Sequence, residues 1–252
     1  MARARRRRPG RIHIGTSGWT YEIWREDFYA GIPRARWLAH YATRFNAVEV
    51  NASFYHRLKP STFAKWDDET PAGFRFAIKA NRYLTHVERL SFPVASLRQE
   101  RSASAALGAK LAVVLWQLPA GWHLNLERLT GFLKRLARWP EPRHALEFRD
   151  ASWFTAETAA LLSEHGVASV QSDAADWPMW EAVTTDLVYV RLHGHESTYS
   201  SPYSDRALGA WARNARAWSE EGRDVHVYFD NTDAGYAPRD AARLSSLLAD
   251  VV

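Results

Sequence analysis

Eight short aliphatic runs alternate with helix-patterned segments along the chain, and this alternation leaves few folds open. The runs start at Ile12, Ala47, Phe74, Leu111, His144, Val167, Leu187 and Val225. Between them lie amphipathic stretches at 33–45, 60–69, 93–107, 125–138, 155–165, 204–221 and 238–249. Several open on a helix-start residue, Pro33, Pro60, Thr155 or Ser204, and a Gly-Tyr-Ala-Pro turn precedes the last. Strand and helix in strict succession predict βαβ units on a parallel sheet. Eight strands in a chain of 252 residues match a TIM (β/α)8-type barrel, and that α/β fold is the expectation. One connection departs from the pattern: the segment from Asp173 to Asp186 has no helical period, so the helix between strands six and seven is expected to be weak or missing. A doubly wound open sheet competes, but Gly15-Thr16-Ser17-Gly18 after the first run lacks the third glycine of a dinucleotide loop and reads better as a turn at a barrel rim.

Composition removes several function classes. The chain has no cysteine, which excludes a disulfide framework, thiolate metal ligands and a cysteine nucleophile. No apolar run is long enough to span a bilayer, and the basic first residues lack the apolar stretch of a secretory signal, so no membrane contact and a cytoplasmic location are expected. The formal net charge of +5 is misleading. Six arginines at positions 3, 5, 6, 7, 8 and 11 more than account for it, leaving residues 12–252 at about −1. We therefore divide the chain into a basic disordered tail, 1–11, and a single barrel domain, 12–252. The tail is a candidate for weak, salt-sensitive nucleic-acid contact.

Most of the runs end in polar residues that a buried strand would not carry without a purpose. Side chains alternate faces along a strand. Glu49, Asn51 and Ser53 therefore share one face, as do Glu147 with Arg149, Tyr189 with Arg191 and His193, and Tyr228 with Asp230. The aliphatic face suits a helix layer and the polar face a barrel interior, with its charged members at the C-terminal mouth where such barrels carry their sites. Glu49, Lys79, Glu147 and His193 are the candidate catalytic groups. Candidate substrate-binding residues are Trp19, Asn51, Tyr55, His86, Gln117, Arg149, Asp173, Arg191, Tyr199, Asp230 and Asn231, the aromatics offering flat faces for stacking. Pairing of Glu147 or Glu49 with Arg191 or Arg149 would equally make a closed salt-bridge network.

The motifs IHIGTSGW, AVEVNASFY, FAIKANRYLTH, LWQLP, EFRDASWF, YVRLHG and VYFDNTDAGYAPRDA, in this order, resemble the YecE-like family, domain of unknown function 72. The resemblance implies a soluble cytoplasmic TIM barrel with no established reaction. It also implies signature positions at Glu49, Asn51, Lys79, Thr85, His86, Glu147, Arg149, Arg191, His193 and Asn231. Asp230 departs from the Asn-Asn pair of relatives, replacing an amide with an acid.

The inventory favours an enzyme acting without a cofactor on a small anionic or polyol-like substrate. Arginine forks would take the anion, a desolvated Lys79 would serve as base or amine, and His193 or His86 would carry protons. An anion is expected near Arg149, Arg191 and His193. A metal-dependent hydrolase, isomerase or nuclease-like protein of xylose-isomerase-like type is the alternative, with a divalent metal on the carboxylates and histidines. Three cations in the same ring oppose it, and no metal ligand set is assigned. A non-catalytic ligand- or nucleic-acid-binding barrel is the third reading.

Overall fold

The computed structural model describes residues 8–252. The strands are β1 (Ile12–Thr16), β2 (Ala47–Val50), β3 (Arg75–Lys79), β4 (Leu111–Gln117), β5 (Arg143–Glu147), β6 (Val167–Asp173), β7 (Leu187–Leu192) and β8 (Asp224–Phe229). They make one sheet ordered β1-β8-β7-β6-β5-β4-β3-β2, every ladder parallel. A single bridge, Ser17 to Glu49, brings β1 back to β2. The result is the expected TIM-type barrel.

Helices α1 (Trp37–Tyr41), α2 (Ala52–Tyr55), α3 (Pro60–Asp68), α4 (Val94–Ser104), α5 (Leu126–Leu136), α6 (Ala156–Glu164), α7 (Asp205–Glu220) and α8 (Tyr236–Leu247) surround the sheet. Two of the start signals act as predicted, Thr155 capping α6 and Ser204 capping α7 with a side-chain oxygen that takes an orphan amide, and Asn125 caps α5 in the same way. Two expectations change. The 33–45 stretch is a 3-10 turn followed by the short α1. The Gly-Tyr-Ala-Pro turn is instead the first turn of α8, entered through Gly235 at φ 71°, with Pro238 placed where the helix requires no N–H.

The two strand faces separate as the alternation predicts. Small and aliphatic residues such as Ala47, Ala77, Leu115, Ala145 and Val170 line the interior with Tyr189 and Tyr228, whereas Val48, Phe76, Trp116, Leu146 and Phe229 pack on the helices.

Side chains close the seam between β1 and β2. Asn46 behaves like a strand backbone: its Oδ1 accepts from Ile14 N at 2.8 Å and its Nδ2 donates to Ile12 O at 3.0 Å. The Tyr41 hydroxyl accepts from Thr16 N at 2.7 Å and donates to Ala47 O at 3.1 Å. Gly15 permits the approach, since a Cβ there would overlap the Ala47 carbonyl and lie 2.8 Å from the Tyr41 oxygen.

The helix missing between β6 and β7 is replaced by irregular chain, residues 174–186. The outward face of β6 is polar, and this segment satisfies it. Thr184 Oγ1 accepts from Ser169 N at 2.9 Å and donates to Val167 O at 2.8 Å, and Gln171 Nε2 donates to Glu181 O at 3.1 Å. Met179, Trp180 and Val183 cover the neighbouring core as a helix would.

The boundary drawn after residue 11 moves inward. Gly10 N donates to Ser219 O at 2.9 Å, Ser219 Oγ donates to Gly10 O at 2.7 Å, and Arg11 N donates to Asp224 Oδ1 at 2.8 Å, so Gly10 and Arg11 are tied to the barrel. The rest of the tail reading falls on residues 1–7, which lie outside the described residues. No helix among the described residues is long and apolar enough to cross a membrane.

Candidate functional site at the barrel mouth

Arg191, on the inward face of β7, is fully buried and organises the mouth. Its Nε donates to Glu49 Oε2 at 2.9 Å, Nη2 donates to Glu49 Oε1 at 2.7 Å and Asp230 Oδ2 at 2.9 Å, and Nη1 donates to Glu147 Oε2 at 2.9 Å and His193 Nε2 at 3.1 Å. A guanidinium has five N–H groups, and all five are used. The pairing foreseen between these residues is present, and it has a consequence the sequence reading missed. Arg191 has no donor left for a ligand, so it is not free to hold the anion expected near it.

The partners of Arg191 are themselves enclosed. Glu49 also accepts from Tyr189 Oη at 2.6 Å and from Ser17 Oγ, and Ser17 Oγ accepts from Asn51 Nδ2 at 2.7 Å. Glu147 Oε1 accepts from Arg149 Nε at 3.0 Å and Ser172 Oγ at 3.0 Å. Burial alone would raise the Glu147 carboxyl, yet Arg191 and Arg149 hold it well below the usual carboxylate range. Asp230 is lowered in the same way, burial being outweighed by the charge of Arg191 and by His193 beside it. His193 Nε2 faces Arg191, which leaves Nδ1 as the nitrogen turned to Asp230. That nitrogen is 3.1 Å from Asp230 Oδ2 but off the line of a well-formed hydrogen bond.

Above this plug stand less committed groups. Lys79, at the end of β3, is 8% exposed and places its ammonium 4.1 Å from the centre of the Phe54 ring. It forms no ion pair among the described residues, and burial followed by Arg191 lowers its pKa to about 8, against the pull of Glu147, Asp230 and Glu49. His86 lies edge-on to Phe54 at 5.0 Å with Nδ1 2.8 Å from Thr85 Oγ1. Partial burial and the charges of Lys79 and Arg149 bring it down to about 4. The Arg149 guanidinium lies 3.9 Å from the Trp177 ring centre. Trp177 and Tyr199 stand edge-on to His193, at 5.0 and 5.6 Å. Tyr199 holds φ at 66°, a left-handed conformation costly for a side chain of its size.

Five expected site residues lie elsewhere or are spent. Asp173 and Asn231 follow Ser172 and Asp230 directly, so alternation sends them to the opposite face. Asp173 meets His195 Nδ1 at 2.9 Å, and Asn231 Nδ2 donates to Ser201 O at 3.0 Å and Asp240 Oδ2 at 2.9 Å. Trp19 is buried edge-on against Trp66 at 5.0 Å, within the helix-facing core. Tyr55 is 64% exposed and touches Phe54 rather than the plug. Gln117 faces inward but turns its amide onto the Leu118 carbonyl. Not singled out among the site residues were Ser17, Ser172, Tyr189, Phe54 and Trp177. Alternation marks the first three as inward-facing, and a position just after a strand marks the two aromatics as part of the rim of the mouth.

The mouth thus sets Glu49, Glu147 and Asp230 against Arg149, Arg191 and Lys79. Among the described residues no three His, Asp or Glu side chains converge as a metal-ligand set. Each of the three carboxylates puts at least one oxygen on Arg191.

A closed parallel barrel with a charged plug under its C-terminal mouth defines this chain as a TIM-barrel protein. The family described as Protein of unknown function DUF72 matches residues 13–251, and the chain belongs to that family. It is the family that the sequence motifs resemble. The UPF0759 protein YunF of Bacillus subtilis (strain 168) is 26% identical over 274 residues, covering 94% of each chain. The crystal structure of a DUF72 family protein from Thermotoga maritima MSB8 superposes with a TM-score of 0.85 at 25% identity, over 95% of this chain and 99% of that one. A more remote solved structure, the 3-keto-D-glucoside 4-epimerase YcjR of E. coli, shares the fold at a TM-score of 0.54 and 12% identity, over 96% of this chain and 99% of that one.

Proposed function

We propose that this protein is a cytoplasmic enzyme performing acid/base chemistry on a small anionic or polyol-like molecule bound above the Arg191 plug. Lys79 is its titrating group. The observation that carries this reading is the Lys79 ammonium: nearly buried, set against an aromatic face, and without an ion pair among the described residues, while Arg191 beneath it is saturated. A desolvated amine with a pKa of about 8 exchanges protons near physiological pH. Arg149, braced by Glu147 and Trp177, is the fork that holds an anion beside it. His193 Nδ1, with its poorly aligned acceptor, is the second proton carrier. Glu49 and Glu147 take a different role from the acid/base one first expected. Both are bound to Arg191, and Glu147 in particular is held ionised.

The test is ligand binding and stability as a function of pH, in the wild type and in Lys79→Met. A panel of small carboxylates and polyols is titrated while the NMR signal of the Lys79 amine is followed. Carboxylates should bind below about pH 8, where the amine is charged, and release above it. Lys79→Met should remove that dependence; binding that keeps the same pH profile in the variant would sink the proposal. Stability gives an independent reading. The folded-state pKa lies below the unfolded value of 10.5, so the cost of the buried ammonium is fully present below about pH 8 and is relieved as pH rises toward 10.5. Over that interval the wild type should gain up to about 3 kcal/mol on Lys79→Met, measured by urea denaturation.

A further inference from the structure

The opposite end of the barrel holds a second polar pocket of about 310 Å³, formed where β1, β3, β5 and β8 begin. Two imidazoles form its floor. His13 and His226 face each other across the β1–β8 ladder with ring centres 4.5 Å apart. His13 is 8% exposed, yet neither of its ring nitrogens finds a hydrogen-bond partner among the described residues, and Nδ1 is wholly enclosed. His226 uses Nδ1 on the Tyr228 hydroxyl at 2.9 Å, leaving its other nitrogen unengaged among the described residues.

Arginines form the walls. Arg75 donates through Nη1 to the carbonyls of Ala72 and Phe74, at 3.0 and 2.9 Å, and forms no ion pair among the described residues. Arg143 pairs with Asp186 through one nitrogen. Arg11 lines the same pocket. The two carboxylates in the lining are already engaged, Asp224 with the Arg11 amide and Glu141 with Arg101. Burial first, and then the charge of Arg75, lowers the His13 pKa to about 4. Positive groups with unused donors therefore surround a cavity large enough for a hydrated anion.

We propose that this pocket binds an oxyanion of the phosphate class, held by His13 and His226 from below and by Arg75 and Arg143 from the sides. The anion would accept the hydrogen bonds that these side chains do not make within the protein. The site is separate from the mouth and does not depend on the reaction proposed there.

The experiment is a titration of the full-length protein with inorganic phosphate, followed through the ring-nitrogen signals of His13 and His226 and through thermal unfolding. Phosphate should move both imidazole signals and raise the melting temperature. Arg75→Gln and Arg143→Gln should each weaken the response roughly tenfold. Arg143→Gln alters a partly exposed strand start, so folding is retained, as circular dichroism would check. Lys79→Met should leave the response intact, which separates this site from the mouth. A short single-stranded oligonucleotide forms the second arm. The same signals moving at lower phosphate concentration would identify a polynucleotide backbone as the source of the anion; movement with free phosphate alone would identify a small ion. Either outcome supports the pocket. Imidazole signals that stay still throughout, or that move equally in the double Arg75→Gln/Arg143→Gln variant, would overturn it.

Discussion

Arg191 shows what one residue can demand of a fold. Five N–H donors in a dry interior each need an acceptor, and Glu49, Glu147, Asp230 and His193 supply them from four different strands or strand ends. The arrangement is vulnerable to removal of its centre, because Glu49 and Asp230 would remain buried without a paired cation and Glu147 would keep only Arg149. Arg191→Met should lower stability by about 3–5 kcal/mol, read from the urea midpoint, and adding Glu49→Gln should restore part of the loss. The period of two was enough to find Glu49, Glu147, Arg191 and His193. It failed at Asp173 and Asn231, where charge and polarity drew attention to the residue beside the inward-facing one. Ser17 and Ser172 escaped notice because a small hydroxyl at a strand end has no compositional signature, although both bond the plug carboxylates.

At the level of elements, the long amphipathic helices were legible since their caps and periods agree. The weak connection after β6 was legible too, as an absence of period. What replaced the helix was not, because Thr184 and Glu181 meet β6 through tertiary contacts that local pattern does not encode. The β1–β2 seam is another such feature. It relies on two side chains in place of a ladder, and each substitution there should act through a different cause. Tyr41→Phe leaves Thr16 N and Ala47 O without their partner and should cost about 1–3 kcal/mol. Gly15→Ala drives a methyl into the Ala47 carbonyl and should cost more, since backbone must move. Thermal unfolding of the two variants side by side checks the order; equal effects would contradict this account of the seam.

For the molecule as a whole, buried histidines set the acid limit. His13, His86 and His144 are lowered to about 4 and His226 well below its ordinary value, in each case chiefly by burial. Their stabilising contribution is complete above the unfolded value of 6.5 and is lost as pH falls toward their folded values, because the unfolded chain takes up the protons first. Glu100 works the other way: burial raises it to about 7, so the fold holds a proton there that the unfolded chain releases above 4.5. The balance is about two to three protons, His86 counting for less because it is partly exposed, and stability should fall on the order of 3–4 kcal/mol per unit between pH 6 and pH 5. Denaturant titrations at those two pH values measure it directly; a flat profile would mean that the histidines are hydrated in solution.

Beneath the plug, Tyr189 Oη bonds Glu49 at 2.6 Å while its ring lies parallel to His226 at 6.2 Å, and His226 in turn faces His13. The barrel axis thus runs from the charged network at one end through Tyr189 to the imidazole pair at the other. Tyr189 is the residue the two ends share, and a label on its ring would report on both.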